Sequence, residues 1–547
     1  MKAADSFVDV LDAAGIDVFF GLPGSTEAPL LESIRQRQFH YVLGLHEGVV
    51  VSMADGYARA GGRPGAVGLH TSVGTLNGLG QMMNARRDGS PVVVTAGQKD
   101  RTVLSEEGFC ALPGLLEATR AVTKWSYQSL SADAVALDLA HAIRVATAPP
   151  QGPVYLAVPE DLLAADVEDC RSDAARIVTA PAVRSVPDPD AIVAAGELLR
   201  RAAHPILVVG GAARSAAGAV ARLSRLAGLP VFMAPFTDLF DPPVPTADER
   251  YAGLYGDDPA LLEGCDLVVA AGCRVFYPFS ESSRPSLPKG AALVHLHDDP
   301  VEIGRVTRAD VGLLGELRLG LGALADELER QGGRVDAARL AEREERIPNS
   351  IQLRRGRGAA DDPTRPMGIE TFAEILGRAL PPETLMVEEA VRSARPLLRH
   401  LPISSGQRVL RSSGGALGWG TPAAVGATIG APGRPVVAVV GDGSFHFSVQ
   451  ALWSASQIGA SMVVVVLDNG GYLAVKRAIE EHLGVPHDPR PHPGTEISGI
   501  DHVEVAKGYG AHAVTATTTE DFGDSLRHAL GAGGVWVIHV PVAQVRP

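Results

Sequence analysis

The sequence has few cysteines, and their placement suits neither a disulfide framework nor a metal site. Cys110, Cys170, Cys265 and Cys273 are scattered over 547 residues, with no Cys-x-x-Cys pair and no histidine at metal-ligand spacing. We therefore expect reduced thiols that are mostly buried and behave as small apolar side chains.

Positive charge is also scarce. Lysine and arginine total 49 residues against 63 aspartates and glutamates, so the formal net charge is −14. This balance gives no basic surface for nucleic acid or for an anionic membrane. We expect a globular protein that works on a small molecule.

Long hydrophobic runs are absent as well. The longest purely apolar stretches, such as Met462 to Leu467, are far shorter than a helix that spans a bilayer. The amino-terminal sequence MKAADSFVDVLDAAG lacks the apolar core of a signal peptide. A soluble, cytoplasmic protein is therefore expected.

The order of predicted elements indicates an α/β protein. Helices and strands alternate in an early, a middle and a late region, and the first and last regions look like two copies of one architecture. We predict three doubly wound domains with mainly parallel sheets, over residues 1–175, 185–330 and 367–547. The charged, aromatic-free stretch 331–366 is predicted to be a linker with one partly helical piece.

One stretch, Val436 to Val475, carries the strongest functional signal. An apolar strand ends at GDGS (residues 441–444), a helix is predicted over Phe447 to Gly459, and a second apolar strand ends at DNGG (residues 468–471). Two strands joined by one helix should pair in parallel, so their ends meet at the carboxyl edge of the sheet, where ligands of open α/β sheets bind.

The residue types at this edge suit a hard cation. Asp442 offers a carboxylate, Asn469 an amide oxygen and the Gly471 region a backbone carbonyl, which together suit Mg²⁺ or Ca²⁺ with room for phosphate oxygens. The backbone at Gly441 and Gly443 can approach a phosphate, and Ser444 lies where a helix begins. A turn without ligand is the alternative, but the spacing of 27 residues between Asp442 and Asn469, at the ends of two buried strands, favours the cation site.

Polar residues also follow the predicted strands of the first domain. They are Ser25, Glu47, His70 and Thr71. Glu47 lies among Leu43, Leu45, Val49 and Val50, so we expect its carboxyl group to be desolvated. The alternative is an acid at a helix start that is stabilised by the helix dipole.

These motifs resemble those of the thiamine diphosphate (ThDP)-dependent decarboxylase and acetolactate synthase superfamily, and within it the benzoylformate decarboxylases. The matching stretches include FGLPGST, LGLHEGVVVSMADGYARA, GLHTSVGTLNG, PQGPVYLAVPEDL, GWGTPAAVG and GDGSFHFSVQALW. The resemblance implies pyrimidine-binding, middle and diphosphate-binding domains in that order. It also implies that ThDP lies between two subunits, in a homodimer or homotetramer. One departure is Asp468, where many relatives have asparagine.

The resemblance assigns roles to individual residues. Glu47 would exchange a proton with the aminopyrimidine ring of ThDP, and Leu417, among Gly414, Gly415 and Gly418, would force the cofactor into its bent shape. Tyr472 would complete the cofactor site. Ser25 would orient the substrate carboxylate, and His70 would transfer protons.

The substrate pocket departs from the family pattern. Phe279 stands where the decarboxylases have a second histidine, and four further positions are expected to line the pocket: Phe109, Cys110, Arg411 and Ala478. Arg411, so placed, would favour a second anionic group on the substrate.

Four functions remain in competition. The first is nonoxidative decarboxylation of a 2-oxo acid, with an aryl glyoxylate as first choice. The second is a carboligase of the acetolactate synthase or benzaldehyde lyase type, and the third is a flavin-dependent oxidase on the same scaffold. The fourth is a catalytically silent subunit, which the presence of Glu47, Asp442 and Asn469 disfavours.

Overall fold

The structure is a computed structural model of the chain. It describes residues 1–168, 171–179, 184–235, 246, 248–276, 286–330, 335–354, 367–404, 406–485 and 490–543. These residues form three α/β units, each built on a six-stranded parallel sheet, which confirms the predicted fold class. Among the residues described, no helix is both long enough and apolar enough to cross a membrane.

The first unit has the strand order β2-β1-β3-β4-β6-β5. Its elements are α1 (Ala3–Ala13), β1 (Val18–Gly21), α2 (Ala28–Gln36), β2 (His40–Leu43), α3 (Glu47–Gly61), β3 (Gly65–His70), α4 (Thr71–Asp88), β4 (Val92–Gln98), α5 (Arg101–Ser105), α6 (Leu115–Arg120), β5 (Trp125–Gln128), α7 (Val135–Thr147), β6 (Val154–Pro159), α8 (Glu160–Ala164) and α9 (Arg171–Val178).

The second unit has the strand order β12-β11-β10-β7-β8-β9, in which the order reverses between β7 and β10. Its elements are α10 (Pro189–Arg201), β7 (Pro205–Val209), α11 (Ala217–Ala227), β8 (Val231–Met233), β9 (Tyr251–Leu254), β10 (Leu267–Ala271), β11 (Ala292–His297), β12 (Val311–Leu314), α12 (Leu317–Glu329) and α13 (Ala337–Arg354).

The third unit has the order β14-β13-β15-β16-β18-β17, which repeats the order of the first unit. Its elements are α14 (Ile369–Ala379), β13 (Leu385–Glu389), α15 (Ala394–His400), β14 (Arg408–Arg411), α16 (Gly420–Gly430), β15 (Val436–Gly441), α17 (Asp442–Ser448), α18 (Ala451–Gln457), β16 (Met462–Asp468), α19 (Leu473–Leu483), α20 (His502–Gly508), β17 (His512–Thr515), α21 (Thr519–Ala532) and β18 (Val535–Pro541).

The central strands of the third sheet, β15 and β16, are continuous runs of valine, alanine and other apolar residues, and nearly every side chain is buried. Such runs are expected for strands that helices cover on both faces. The single helix predicted after β15 is instead two short helices, α17 and α18. The first starts directly at the strand end, and the second stops just before Gly459, whose φ of +65° suits a helix terminus.

The first and third units contact each other through α3 and α16, and this contact depends on glycine. A Cβ atom at Gly426 would overlap the carbonyl oxygen of Met53, one at Gly430 that of Tyr57, and one at Gly56 that of Ala423. The two backbones therefore lie closer together than any side chain would allow.

A buried polar cluster flanks the same helix pair. Arg59 is 2% exposed and pairs with Asp88 at 3.1 Å, and its guanidinium lies 4.8 Å from the centre of the Trp419 ring. Trp419 donates from Nε1 to Asp55 at 2.6 Å. Buried charges are tolerated when they are paired in this way, and here the pairing joins the two units.

Part of the segment predicted as a linker is a docked helix. Arg343 on α13 is 2% exposed and donates to the backbone carbonyls of Leu199, Ala202 and Ala227 in the second unit. The guanidinium pairs with three carbonyls at or just after the ends of α10 and α11, where carbonyl groups lack partners within the helix. The residues on either side of α13, 331–334 and 355–366, lie outside the described residues.

We predict that Gly426→Ala lowers the thermal unfolding midpoint, because the added methyl group must push α16 away from α3. Overpacking of this kind costs about 1–3 kcal/mol. Gly531→Ala on α21 is the matched control, since a Cβ there meets no atom within 4 Å. Equal midpoints for the two variants in differential scanning calorimetry would contradict the prediction.

Candidate active site

The two halves of the GDGS and DNGG motif meet at the carboxyl edge of the third sheet. Strands β15 and β16 are parallel neighbours, and their register pairs Gly441 with Leu467. The next residues along the two strands, Asp442 and Asp468, therefore lie side by side, and Asn469 follows with its Oδ1 buried.

This edge fits a cation with phosphate oxygens. Oδ2 of Asp442 and Oγ of Ser444 are buried and have no hydrogen-bond partner among the described residues. A buried polar atom without a partner is costly, so both atoms suit a ligand that supplies one. A Cβ at Gly441 would stand in open space, whereas one at Gly443 would lie 2.8 Å from the ring of Tyr472.

The electrostatics of this edge depend on two neighbouring carboxyl groups, those of Asp442 and Asp468. Burial raises the pKa of Asp442 and nearby Asp468 adds to this, while the N–H groups of Gly443 and Gly471 partly oppose it. The hydrogen bond from His539 lowers the pKa of Asp468. A divalent cation would keep Asp442 ionised.

The loop before α16 is held by the first unit. Asn84 is fully buried and bonds the backbone of Ala416 in both directions, and Gln81 donates to the carbonyl of Leu417 at 3.0 Å. Gly415 has a φ of +87° and no atom within 4 Å of a Cβ placed there. The loop therefore leaves open space at Gly415, two residues before the half-buried side chain of Leu417.

A buried carboxyl group fixes where this loop becomes a helix. Glu389, at the end of β13, accepts hydrogen bonds from the backbone N–H groups of Trp419 and Gly420 at 3.1 and 2.9 Å. Burial raises the pKa of Glu389 to about 8. Sequence reasoning missed this residue, because its partners are 30 positions away.

Glu47 is the first residue of α3, as the sequence predicts, and its carboxylate accepts a hydrogen bond from Asn77 at 3.1 Å. The expected apolar enclosure is incomplete within one chain. Val49 and Val50 are buried, but Leu43 and Leu45 are 37% and 44% exposed. They lie at the sheet edge before the helix, where no other part of the described chain covers them.

His70 ends β3 and is oriented by two residues that sequence reasoning missed. Its Nδ1 lies 3.0 Å from Oγ1 of Thr26 and 3.1 Å from Oε2 of Glu27, which is 4% exposed. A Cβ at Gly24 would overlap the His70 ring. The sequence does show an acid, Glu27, two positions after Ser25. Its partner His70 lies 43 residues further along the chain, so the sequence alone did not indicate the pair.

Ser25 is exposed, and Lys99 donates to its hydroxyl at 3.3 Å. Lys99 follows β4, the neighbour of the strand that ends at His70. Ser25, His70 and Lys99 thus share one edge of the first sheet. Sequence reasoning missed Lys99 as well.

The residues expected to line a substrate pocket are only partly brought together. Phe109 is 80% exposed, and the carbonyl of Cys110 accepts a hydrogen bond from Ser72, two residues after His70. Ala478 is exposed on α19. Phe279 and Cys170 lie outside the described residues.

Arg411, which the sequence predicts to line the substrate pocket, is paired with an acid of its own sheet. Its Nε lies 2.6 Å from a carboxylate oxygen of Glu388, whose side chain is 2% exposed. Arg411 is on β14 and Glu388 is its register partner on β13. The guanidinium therefore compensates a buried acid of its own sheet, which argues against a role in binding a second anionic group of a substrate.

Three family models match the chain in sequence order. They are described as thiamine pyrophosphate enzyme N-terminal TPP binding domain (residues 1–123), central domain (residues 192–324) and C-terminal TPP binding domain (residues 393–540). Each match lies inside one of the three predicted domains.

Known proteins are similar along the whole chain. A benzoylformate decarboxylase of Pseudomonas aeruginosa is 35% identical over 98% of each chain, and a putative acetolactate synthase large subunit of Mycobacterium tuberculosis is 30% identical over 99% of each. The solved structure of a thiamine diphosphate-dependent 4-hydroxybenzoylformate decarboxylase of Rhodococcus jostii matches with a TM-score of 0.86 and 29% identity over 100% of each chain.

We predict that Asp442→Ala weakens Mg²⁺ binding in the presence of inorganic pyrophosphate by about tenfold or more, because a charged ligand is worth ~1.5–3 kcal/mol. Isothermal titration calorimetry measures the affinity. Asp524→Ala on α21, which removes an exposed carboxylate, is the control and should bind as the wild type does. Unchanged affinity in Asp442→Ala would remove this residue from the site.

Proposed function

Because the chain belongs to the thiamine pyrophosphate enzyme family, we propose that it is a ThDP-dependent carboxy-lyase that converts a 2-oxo acid to an aldehyde and carbon dioxide. An aryl glyoxylate such as benzoylformate is the first-choice substrate. The observation that carries this proposal is the arrangement at the edge of the first sheet, where an oriented histidine lies near a lysine and a serine. The 35% identity to a benzoylformate decarboxylase supports it.

The chain's residues fit ThDP with Mg²⁺ or Ca²⁺. Bound ThDP supplies a nucleophilic carbon for the ketone and an electron sink for the loss of carbon dioxide. Asp442, Asn469 and the carbonyl of Gly471 would hold the cation. The remaining cofactor contacts would come from Glu47, Gly415, Leu417, Gly441, Gly443, Ser444 and Tyr472.

Glu47 would hold and return a proton at the aminopyrimidine ring. General acid–base transfer requires a carboxyl group that is fixed in position, and the hydrogen bond from Asn77 fixes Glu47. The exposed Leu43 and Leu45 beside it would be covered by a second copy of the chain. We therefore propose a homodimer or homotetramer, in the cytoplasm, with active sites between subunits.

Ser25 and Lys99 would bind the substrate carboxylate. The Lys99 ammonium lies 3.3 Å from the Ser25 hydroxyl, so one carboxylate can accept from both groups. Lys99 is the better candidate for this role than Arg411, since Arg411 is paired with Glu388.

His70 would transfer a proton to the carbon that carbon dioxide has left. Glu27 and Thr26 hold its Nδ1, so Nε2 is the nitrogen that can face a substrate. A proton delivered from this position gives an aldehyde.

The second candidate is carboligation, in which the same carbon attacks another carbonyl and gives a hydroxyketone. The 30% identity to a putative acetolactate synthase large subunit favours it. Phe279, proposed for the position of a second proton donor, cannot supply a proton and would shift products in the same direction.

Product analysis tests the proposal. Purified protein with ThDP and Mg²⁺ is incubated with a panel of 2-oxo acids, carbon dioxide is measured, and the organic products are separated by chromatography. Aldehyde from benzoylformate is the expected result. Hydroxyketone as the main product would favour the carboligase, and no carbon dioxide from any 2-oxo acid would overturn both.

We predict that Glu47→Gln lowers turnover by about 10² or more, because the amide keeps the shape but cannot exchange the proton. Steady-state kinetics at saturating ThDP measure the loss. Glu32→Gln on α2, an exposed acid of the same unit, should leave turnover unchanged. Near wild-type turnover in Glu47→Gln would exclude Glu47 from the reaction.

We predict that Lys99→Gln raises KM for the 2-oxo acid about tenfold, equivalent to ~1.4 kcal/mol, and changes kcat less, because it removes a charge that would bind the substrate carboxylate. The exposed Lys507→Gln is the control. A fall in kcat with constant KM would assign Lys99 a different role.

A further inference from the structure

Three imidazole rings lie in a row next to Asp468. The ring centres of His446 and His502 are 5.0 Å apart, and those of His502 and His539 are 4.9 Å apart with nearly parallel planes. The histidines come from α17, the start of α20 and β18, so only the fold brings them together. We call Asp468, His502 and His539 the histidine cluster.

Hydrogen bonds orient each member of the histidine cluster. Nε2 of His539 lies 2.9 Å from Oδ2 of Asp468, and its Nδ1 lies 3.2 Å from Oγ1 of Thr515. Nδ1 of His502 lies 3.1 Å from the carbonyl oxygen of Ile500, so this nitrogen carries the proton and donates. Histidines that bind metals are commonly held in this way through the other ring nitrogen.

The second ring nitrogen of His502 makes no hydrogen bond among the described residues. This atom, Nε2, is buried, and the whole residue is 5% exposed. Leaving a buried acceptor unsatisfied is costly, because the desolvation of that atom is not compensated. A neutral imidazole nitrogen without a hydrogen bond, close to a carboxylate and a second imidazole, can act as a metal ligand.

We propose that the histidine cluster binds a divalent transition-metal ion, such as Zn²⁺ or Co²⁺, at a site separate from the oxygen-lined site at Asp442. One ring nitrogen of each histidine and one carboxylate oxygen of Asp468 all lie within 4.8 Å of one another. Ligand atoms about 2.0–2.2 Å from one ion are spaced somewhat closer, so shifts of about 1 Å complete the geometry. Two imidazoles and one carboxylate select transition metals over Mg²⁺.

The ion would have a structural role, because it would link elements that are distant in sequence. Oδ1 of Asp468 accepts from the N–H of Gly470 at 2.8 Å, so Asp468 already organises the DNGG turn. A metal that binds Asp468, His502 and His539 would link this turn to the start of α20 and to β18. This role stands whether or not the proposed reaction is correct.

Cobalt binding tests the site. Untagged protein is stripped with a chelator, dialysed and titrated with Co²⁺ in excess Mg²⁺ and ThDP, which occupy the oxygen-lined site. One Co²⁺ per chain, with the visible ligand-field bands of low-coordinate nitrogen and oxygen ligation, is the expected result. No retained Co²⁺, or a thiolate charge-transfer band from cysteine, would overturn the proposal.

Variants locate the ion. His502→Gln and His539→Gln should each bind Co²⁺ at least about tenfold more weakly, while His512→Gln and His528→Gln, which alter histidines packed on Trp536, should bind it normally. Asp442→Ala should retain the Co²⁺ bands. Wild-type binding in both His502→Gln and His539→Gln, as expected if Asp468 and His539 form only an ion pair, or loss of the bands in Asp442→Ala, would place the ion elsewhere and overturn the proposal.

Discussion

Close contact between α3 and α16 is the constraint on which the site depends. Glycines at the crossing bring one backbone against the other, and the buried charges of Arg59 and Asp55 are paired with Asp88 and Trp419. Both helices begin at or shortly after candidate site residues, because Glu47 starts α3 and the loop with Leu417 leads into α16. A change at the crossing therefore alters the relative position of Glu47 and Leu417, which are over 300 residues apart in sequence.

The candidate site divides its chemistry between two sheet edges. The edge of the third sheet has carboxylate and amide oxygens for a cation, and the edge of the first sheet has His70, Ser25 and Lys99. Neither edge has the full set of groups that the proposed reaction requires. Near Glu47, Leu43 and Leu45 are exposed on the described chain, so the apolar enclosure expected around this residue is incomplete there.

Local pattern was sufficient to predict the alternation of helices and strands, the parallel pairing of β15 with β16 and the helix start at Glu47. Local pattern did not predict the roles of residues whose partners are far away in the sequence. The pairing of Arg411 with Glu388 could not be recognised without the register of β13 and β14. Glu27 and Lys99 were missed because their partners, His70 and Ser25, lie more than 40 positions away in the sequence, and the docking of α13 was missed because its buried arginine reads as a solvated charge.

The first and third sheets share one strand order, and the helices that join them, α3 and α16, occupy equivalent places, each between the second and third strands of its unit. The chain is thus built as if a single ancestral unit had paired with itself through this helix. Duplication and fusion of its gene would then have turned a symmetric pair into one polypeptide. Divergence of the fused copies would then account for their different motifs, with Glu47 and His70 in one and the GDGS and DNGG stretches in the other.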